Sequence, residues 1–176
     1  RAMDDVIITA ALGTATTGKD GSTSTSLPAG QKIAHGSAGL TIAKLLSAKE
    51  TLDANSVDPS ITRHIIVSPK QISDLLNNTT VTSSDFNTVK ALATGELNSF
   101  VGFNFIVSNR LSTDSNSDRQ VIAFASDGIK LAIGKEPSAR IDERADKSYS
   151  TQVYYCQSIG ATRMEESKVV EIACNE

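Results

Sequence analysis

The apolar positions of the first half of the chain recur at three- and four-residue intervals, which is the spacing of one face of a helix. The first such stretch, residues 1–12, ends before Gly13. A tract rich in Gly, Ser and Thr follows over residues 14–26, where we expect a loop. The clearest helix is predicted over residues 40–55. Its apolar stripe is Ile42, Leu45, Leu46 and Leu52, and its solvent face contains Lys44, Ser47 and Glu50.

A further helix is predicted at the end of a strand. The apolar run 64–67 is typical of a buried strand. Ser68 then has the N-cap position and Pro69 the first helical position, while Gln71 stands where its side chain completes a capping box. We expect this helix to extend to about Leu76.

The second half of the chain shows shorter, strand-like patterns. After a helix over 83–95, strands are predicted at 103–107, 121–125 and 169–173, with a short segment at 129–133. From Ser138 onward, a charged stretch (140–147) precedes an apolar stretch (152–159), and long strands in a hairpin are the simplest interpretation. The mixed order of helices and strands predicts an α+β fold.

Composition narrows the class of protein. The 176 residues are 39% apolar and 21% charged, as expected for a folded domain rather than a disordered chain. A net charge of −3 provides no basic field for tight binding of nucleic acid. No apolar stretch has the length of a membrane helix, and no secretory signal is recognisable. Because the first residue is Arg1, we expect the chain to be part of a longer product.

One motif points toward nucleotide chemistry. Residues 13–19 match the phosphate-binding loop as far as Lys19, but Asp20 stands where Ser or Thr is needed for Mg²⁺. Gly21 and Pro28 disfavour the helix that such a loop requires. We therefore predict a flexible loop, no bound cofactor and no enzymatic activity.

Other reactive side chains are interpreted as structural. His64 is expected in the core or at its rim, and His35 has no Cys or acidic residue at metal-ligand spacing, so no metal site is predicted. Cys156 lies in an apolar run and is predicted to be a small core residue, while Cys174 stays unassigned. The acidic pairs at 142–143 and 165–166 adjoin arginines and indicate salt-bridged surfaces.

Several stretches follow one another in an order that carries a family resemblance. They are 40–52, 63–71, 94–97, 102–111, 123–132, 160–164 and 169–172. Together they resemble the tailed-phage major capsid proteins of the Hong Kong 97 fold. The resemblance implies that residues 1–14 end the spine helix of a peripheral domain, 15–137 form an axial domain, and 138–176 form a peripheral hairpin and C-terminal strand. The N-terminal arm and extended loop of the family have no counterpart here.

The resemblance also implies a function. The chain is expected to be a structural subunit of a bacteriophage or prophage icosahedral head, assembled in the bacterial cytoplasm, whose copies form pentamers and hexamers around DNA. Scaffolding, portal or decoration proteins are the expected partners, with weak contact to packaged DNA and none to a membrane. The candidate contacts between subunits are Arg140, Asp142, Arg144, Asp146, Arg163 and Glu165.

Three alternatives remain open at this stage. An encapsulin-like nanocompartment shell has the same fold and is distinguished by bound cargo. A small nucleotide-binding enzyme is distinguished by nucleotide binding that depends on Lys19. A bacterial surface or adhesion module is distinguished by an export signal upstream of Arg1.

Overall fold

The computed structural model describes residues 2–77 and 99–176, which contain three α-helices and ten strands. The helices are α1 (Ala2–Leu12), α2 (Ile42–Ala54) and α3 (Pro69–Asn77). The strands are β1 (Ala15–Thr17), β2 (Thr23–Thr25), β3 (Lys32–Ile33), β4 (Arg63–Val67), β5 (Ser99–Phe100), β6 (Phe103–Val107), β7 (Arg119–Ala125), β8 (Ile129–Arg144), β9 (Ser150–Arg163) and β10 (Val169–Cys174). The predicted helix over 83–95 and most of the turn before it lie outside the described residues.

A six-stranded mixed sheet forms the centre of the subunit, in the order β3-β10-β7-β4-β6-β5. β4 runs parallel to β6 and antiparallel to β7, and β10 runs antiparallel to β7 and parallel to β3. Consecutive residues of β4 and β7 are buried, among them Ile65, Ile66, Val121 and Ile122. Both faces of the sheet are therefore covered, which explains why these strands have continuous apolar runs instead of alternating ones.

Helix α2 begins and ends close to the predicted bounds, but its faces differ from the prediction. Thr41 caps it by accepting a hydrogen bond from the Lys44 backbone N–H at 3.4 Å. Leu45, Ala48 and Leu52 are buried, whereas Leu46 is 53% exposed. Leu46 was predicted to face the core and is instead turned about 100° away from Leu45 by the helical repeat.

Lys44 was predicted to face solvent and is buried. Its Nζ donates to the carbonyl oxygens of Ala38, Gly39 and Ala173 at 2.7, 2.8 and 3.0 Å. Burial lowers the pKa of its ammonium group. The side chain is held inside because these carbonyl groups replace the water that the charge loses.

The strand-to-helix connection at Ser68 forms as predicted. The Ser68 backbone N–H donates to Gln71 Oε1 at 3.0 Å, which is the reciprocal bond of a capping box. The Gln71 Nε2 donates to Glu176 Oε1 at 2.8 Å, so the fully buried amide also links α3 to the end of the chain.

The polar tract at 14–26, predicted as a loop, contains a small antiparallel hairpin in which Ala15 pairs with Thr25. Gly18 and Gly21 in its turn have φ angles of +86° and +61°, a backbone region that glycine adopts without steric cost. β2, not a helix, follows Lys19. This geometry lacks the helix N-terminus on which a phosphate-binding loop depends.

The C-terminal half consists of two long strands and a final strand that joins the central sheet. The segment predicted at 129–133 is the first part of the 16-residue strand β8, so a boundary between 137 and 138 falls inside a strand. β10 was grouped with the hairpin, but it pairs with β7 and β3 in the central sheet.

Of the two cysteines, Cys174 is the fully buried one, and burial raises the pKa of its thiol to about 11.

Candidate assembly surface

Strands β8 and β9 form a two-stranded antiparallel ribbon, which is the longest element of the subunit in the described ranges. Its 14 or more residues per strand correspond to a length of about 45 Å. The pairing is interrupted twice, between Ile133 and Lys135 and between Lys135 and Ser138, and each time β8 has the additional residue. Such bulges bend a strand and increase its local twist. The outer part of the ribbon therefore diverges in direction from its base.

The base of the ribbon is held against helix α1 by Arg163. This side chain is 4% exposed, and its guanidinium donates to the carbonyl oxygens of Ala11 and Gly13 at 2.9 and 2.5 Å and of Thr25 at 3.0 Å. Burial lowers the pKa of the guanidinium. One cation thus joins the C-terminal end of α1, the loop after it and the small β1–β2 hairpin to the ribbon.

A second set of contacts fixes the turn between β7 and β8. Lys168 Nζ lies 2.6 Å from Asp127 Oδ2 and 2.9 Å from Glu165 Oε2. These bonds lower the pKa of both carboxyl groups. A Cβ atom on Gly128 would lie 2.9 Å from the Cβ of Lys168, so the close approach of these two segments requires glycine.

The outer part of the ribbon has one apolar and one polar face. Residues opposite one another in an antiparallel pair point to the same side. The pairs Ala139–Tyr155 and Ile141–Val153 form the apolar face, which ends near the tip at the polar pair Glu143–Thr151. The pairs on the polar face are Ser138–Cys156, Arg140–Tyr154, Asp142–Gln152 and Arg144–Ser150. Neither face is covered by another element of the described chain: Ile141, Val153 and Tyr155 are 71%, 68% and 62% exposed.

The polar face contains Cys156, which is partly buried. Cys156 was predicted to be a core residue, but its Sγ lies on the ribbon, 3.0 Å from Ser138 Oγ. Hydrogen bonding by Lys135 and Ser138 lowers the pKa of this thiol. The prediction was wrong because the apolar residues before Cys156, among them Val153, Tyr154 and Tyr155, are exposed on the ribbon and do not belong to the core.

Four of the six predicted contact residues lie together near the tip of the ribbon. Arg140 and Asp142 are exposed on the polar face of β8. Arg144 pairs with Asp146, whose Oδ1 lies 2.8 Å from Arg144 Nε, and this bond lowers the pKa of Asp146. The tip therefore presents both signs of charge to its surroundings.

Arg163 and Glu165 lie at the other end of the ribbon, away from this group. Arg163 is buried and has its hydrogen bonds inside the subunit, so little of its side chain is accessible to a neighbouring copy. Glu165 is exposed, but it binds Lys168 and accepts a hydrogen bond from Ser167 at 2.9 Å. The prediction chose contact residues by their charge alone, and charge does not tell a buried arginine from an exposed one. Whether an arginine is buried depends on which carbonyl groups the fold leaves without a partner.

The exposed apolar residues of the ribbon were not among the predicted contacts. The available signal was the alternation of apolar and charged residues at 139–142, which is typical of a strand with one apolar face. This alternation was not used, because the stretch 152–159 that pairs with it is apolar on both faces and was assigned to the core.

No group of three or more His, Cys, Asp or Glu side chains in the described ranges is placed to hold a metal ion. His64 lies against Phe124, with ring centres 5.6 Å apart, at the rim of the core. Among the helices described, none has the length and apolar character needed to cross a membrane.

Comparison with solved structures gives the same fold at low sequence identity. A structure from Mycobacterium phage Che8 matches 96% of this chain with a TM-score of 0.62 at 19% identity, over 55% of its own length. The capsid of cyanophage P-SCSP1u matches 98% with a TM-score of 0.66 at 20% identity, over 60% of its length. The capsid of Ralstonia phage GP4 matches 98% with a TM-score of 0.69 at 12% identity, over 63% of its length.

The chain thus spans somewhat more than half the length of these capsid chains. An encapsulin complex from Synechococcus elongatus shows the same fold more distantly, with a TM-score of 0.54 at 9% identity over 84% of this chain and 54% of its own. A search of curated proteins finds no match.

The family comparison covers the whole sequence. The model of the phage capsid protein family matches residues 1–176, which include the central sheet and the ribbon. Members of this family are structural proteins of the virion and catalyse no reaction. The expectation of an α+β fold of the Hong Kong 97 type is confirmed. On this evidence, the chain belongs to the phage capsid protein family.

Proposed function

We propose that this chain is the main part of a subunit that builds the icosahedral head of a bacteriophage or prophage, its copies forming pentamers and hexamers around packaged DNA. The observation that carries the proposal is the match of the phage capsid family to residues 1–176. Assembly in the bacterial cytoplasm follows from this role.

Within the subunit, we assign the central sheet with α2 and α3 to the axial domain that surrounds the centre of each capsomer. Helix α1 and the ribbon belong to the peripheral domain. The three hydrogen bonds of Arg163 support this grouping, since they tie the end of α1 to the base of β9. β10 is placed with the axial domain because its strand partners are β7 and β3.

The charged tip of the ribbon supplies contacts between subunits. Arg140, Asp142, Arg144 and Asp146 are exposed and include both signs of charge, so that a neighbouring surface of mixed sign is complementary to them. An exposed ion pair contributes only about 0–1 kcal/mol. Many copies of a weak contact in one closed shell nevertheless give a stable assembly.

The wider set of partners follows from the same role. Scaffolding, portal or decoration proteins are the further partners, and packaged DNA touches the inner wall weakly. The net charge of −3 supports weak contact, because tight binding of DNA needs many cations that neutralise phosphates.

A nanocompartment shell is the second candidate. The likeness to the encapsulin complex concerns the fold, whereas the family match over the whole sequence favours the phage head. The contents of the particle separate the two: DNA for the head, and a protein cargo for the nanocompartment.

Electron microscopy of the full-length protein tests the proposal. We expect closed shells or isolated capsomers with five- and six-fold symmetry after expression in bacteria. Particles that hold a protein cargo and never DNA, in cells that carry the complete phage genome, would favour the nanocompartment. A protein that stays monomeric at high concentration and forms no capsomers would contradict both.

A further inference from the structure

Lys44 has its charge at an unfavourable place in helix α2. It is the third residue of the helix and is 8% exposed. The N-terminal end of a helix has a partial positive charge, so a cation in the first turn is disfavoured. The helix therefore does not explain the position of Lys44, and the explanation must lie in the groups that surround its ammonium.

Three backbone carbonyl groups surround this ammonium. The carbonyl oxygens of Ala38, Gly39 and Ala173 lie 2.7, 2.8 and 3.0 Å from Nζ. Because an ammonium group has three N–H bonds, each N–H has one carbonyl partner. Side chains of a helix lean toward its N-terminus, which places the ammonium beside the segment that precedes α2. Backbone carbonyl groups that converge in this way replace the hydration shell of a monovalent cation.

The same carbonyl groups belong to two distant parts of the chain. Ala38 and Gly39 lie in the loop between β3 and α2, whereas Ala173 lies in β10. β3 pairs with β10 over two residues, the last of which is Ile172. Beyond that point, the ammonium and a hydrogen bond of 3.1 Å from the Asn175 N–H to the Ala38 oxygen connect the loop to the end of β10.

We propose that these three carbonyl groups form a binding site for a monovalent cation with N–H donors, and that Lys44 fills the site from within the chain. Lys44 thus acts as a tethered ligand that holds the end of β10 on the loop before α2. Both the site and its occupant lie among the described residues. The role of the site is in the fold of the subunit and is independent of the particle that the copies build.

Nearby carboxylates favour a positive charge at this site. Burial lowers the pKa of the Lys44 ammonium. Cys174, Asp118 and Asp74 act on this pKa in the opposite direction. A free cation in place of the ammonium has the same surroundings, so a variant without the ammonium should bind a small ammonium ion from solution.

Chemical rescue tests the site. Lys44→Ala removes the ammonium and the methylene groups next to it, and n-propylammonium supplies the same atoms from solution. We expect a lower urea midpoint of unfolding for Lys44→Ala than for the parent, and n-propylammonium should raise the midpoint again in this variant alone. Tetramethylammonium has no N–H donor and should not raise it. Lys49→Ala is the matched control and should unfold like the parent, because Lys49 is exposed on the same helix.

Lys44→Met tests the site without an added ion. Methionine nearly keeps the length of the side chain but has no N–H to donate to the carbonyl oxygens. The end of β10 should then be released, so amide hydrogen exchange at Asn175 should be faster than in the parent, while exchange at Ile65 in the central strand β4 stays slow.

Three outcomes would overturn the proposal. A Lys44→Ala midpoint equal to that of Lys49→Ala would show that the carbonyl groups need no cation. Equal effects of n-propylammonium and tetramethylammonium, or no effect of either, would show that no cation binds in the vacated space. Unchanged exchange at Asn175 in Lys44→Met would show that the ammonium does not hold the end of β10.

Discussion

Lys44 and Arg163 are cations with their charged groups inside the subunit, and both donate to backbone carbonyl oxygens. Neither position was predictable from the sequence. Sequence patterns predict that a long charged side chain points into solvent. Only the folded structure shows which backbone carbonyl groups near that side chain have no other hydrogen-bond donor. Both residues connect segments far apart in the chain, which local patterns do not describe.

Replacement of Arg163 by Met should destabilise the subunit by about 2–4 kcal/mol, because the carbonyl oxygens of Ala11, Gly13 and Thr25 lose their donor. Equilibrium unfolding in urea measures the loss. Arg140→Met is the matched control, since this arginine is exposed on the ribbon and its loss should change stability little. Equal effects of the two substitutions would show that Arg163 is not a structural anchor.

The Glu176 carboxylate should make stability depend on pH in acid. The hydrogen bond from Arg119 lowers its pKa below the ordinary value of 4.5. Since the folded state binds this proton less tightly than the unfolded state, the stabilisation is present above pH 4.5 and is lost as the pH falls through the lower folded value. Glu176→Gln should therefore be less stable than the parent at neutral pH, and the difference should shrink in acid. Thermal unfolding across this pH range would refute the assignment if the difference stayed constant.

At the scale of single elements, the sequence predicted those with strong local signals. Strand β6 and the capped start of α3 lie where they were expected, because a buried apolar run and a capping box are each set by a few adjacent residues. The β1–β2 hairpin was missed because its strands consist of Ala, Thr and Ser and give no apolar alternation. The ribbon was recognised as a hairpin, but its exposed apolar side chains were assigned to the core, since the sequence does not show what lies above a strand.

Helix α3 should depend on the amide of Gln71. Gln71→Ala leaves the Ser68 N–H without its partner and removes one of the hydrogen bonds to the Glu176 carboxylate, which keeps Arg119. We expect a loss of about 1–3 kcal/mol in the free energy of unfolding. Lys70→Ala is the neighbouring control, because it removes only a pair with Asp74 in which Lys70 is largely exposed. Chemical denaturation of both variants checks the difference, and a Gln71 variant as stable as the Lys70 variant would contradict the role of the capping box.

At the scale of the whole molecule, the family resemblance predicted the fold class, whereas the strand order was beyond local reasoning. Pairing of β10 with β7 joins residues 169–174 to 119–125, and pairing with β3 joins them to 32–33. No periodicity in the sequence encodes such distant partners. The last strand was grouped with the hairpin because it follows the hairpin in the chain. In the sheet, however, β10 lies between β3 and β7.

The core should survive removal of the outer ribbon. No residue between 130 and 162 belongs to the buried apolar cluster. Replacement of residues 134–158 by Asn-Gly, which joins the paired residues Ile133 and Ile159 through a two-residue turn, should leave the midpoint of thermal unfolding nearly unchanged. The same change in the full-length protein should abolish capsomers in electron micrographs. Shells that still form without the ribbon would show that it is not an assembly element.

The position of β10 also has a consequence for biosynthesis. It lies between β3 and β7, and it is the last of the described strands to be synthesised. During translation β3 and β7 leave the ribosome before β10, which lies between them in the sheet, has been synthesised. The central sheet therefore closes only after residue 174 has emerged from the exit tunnel.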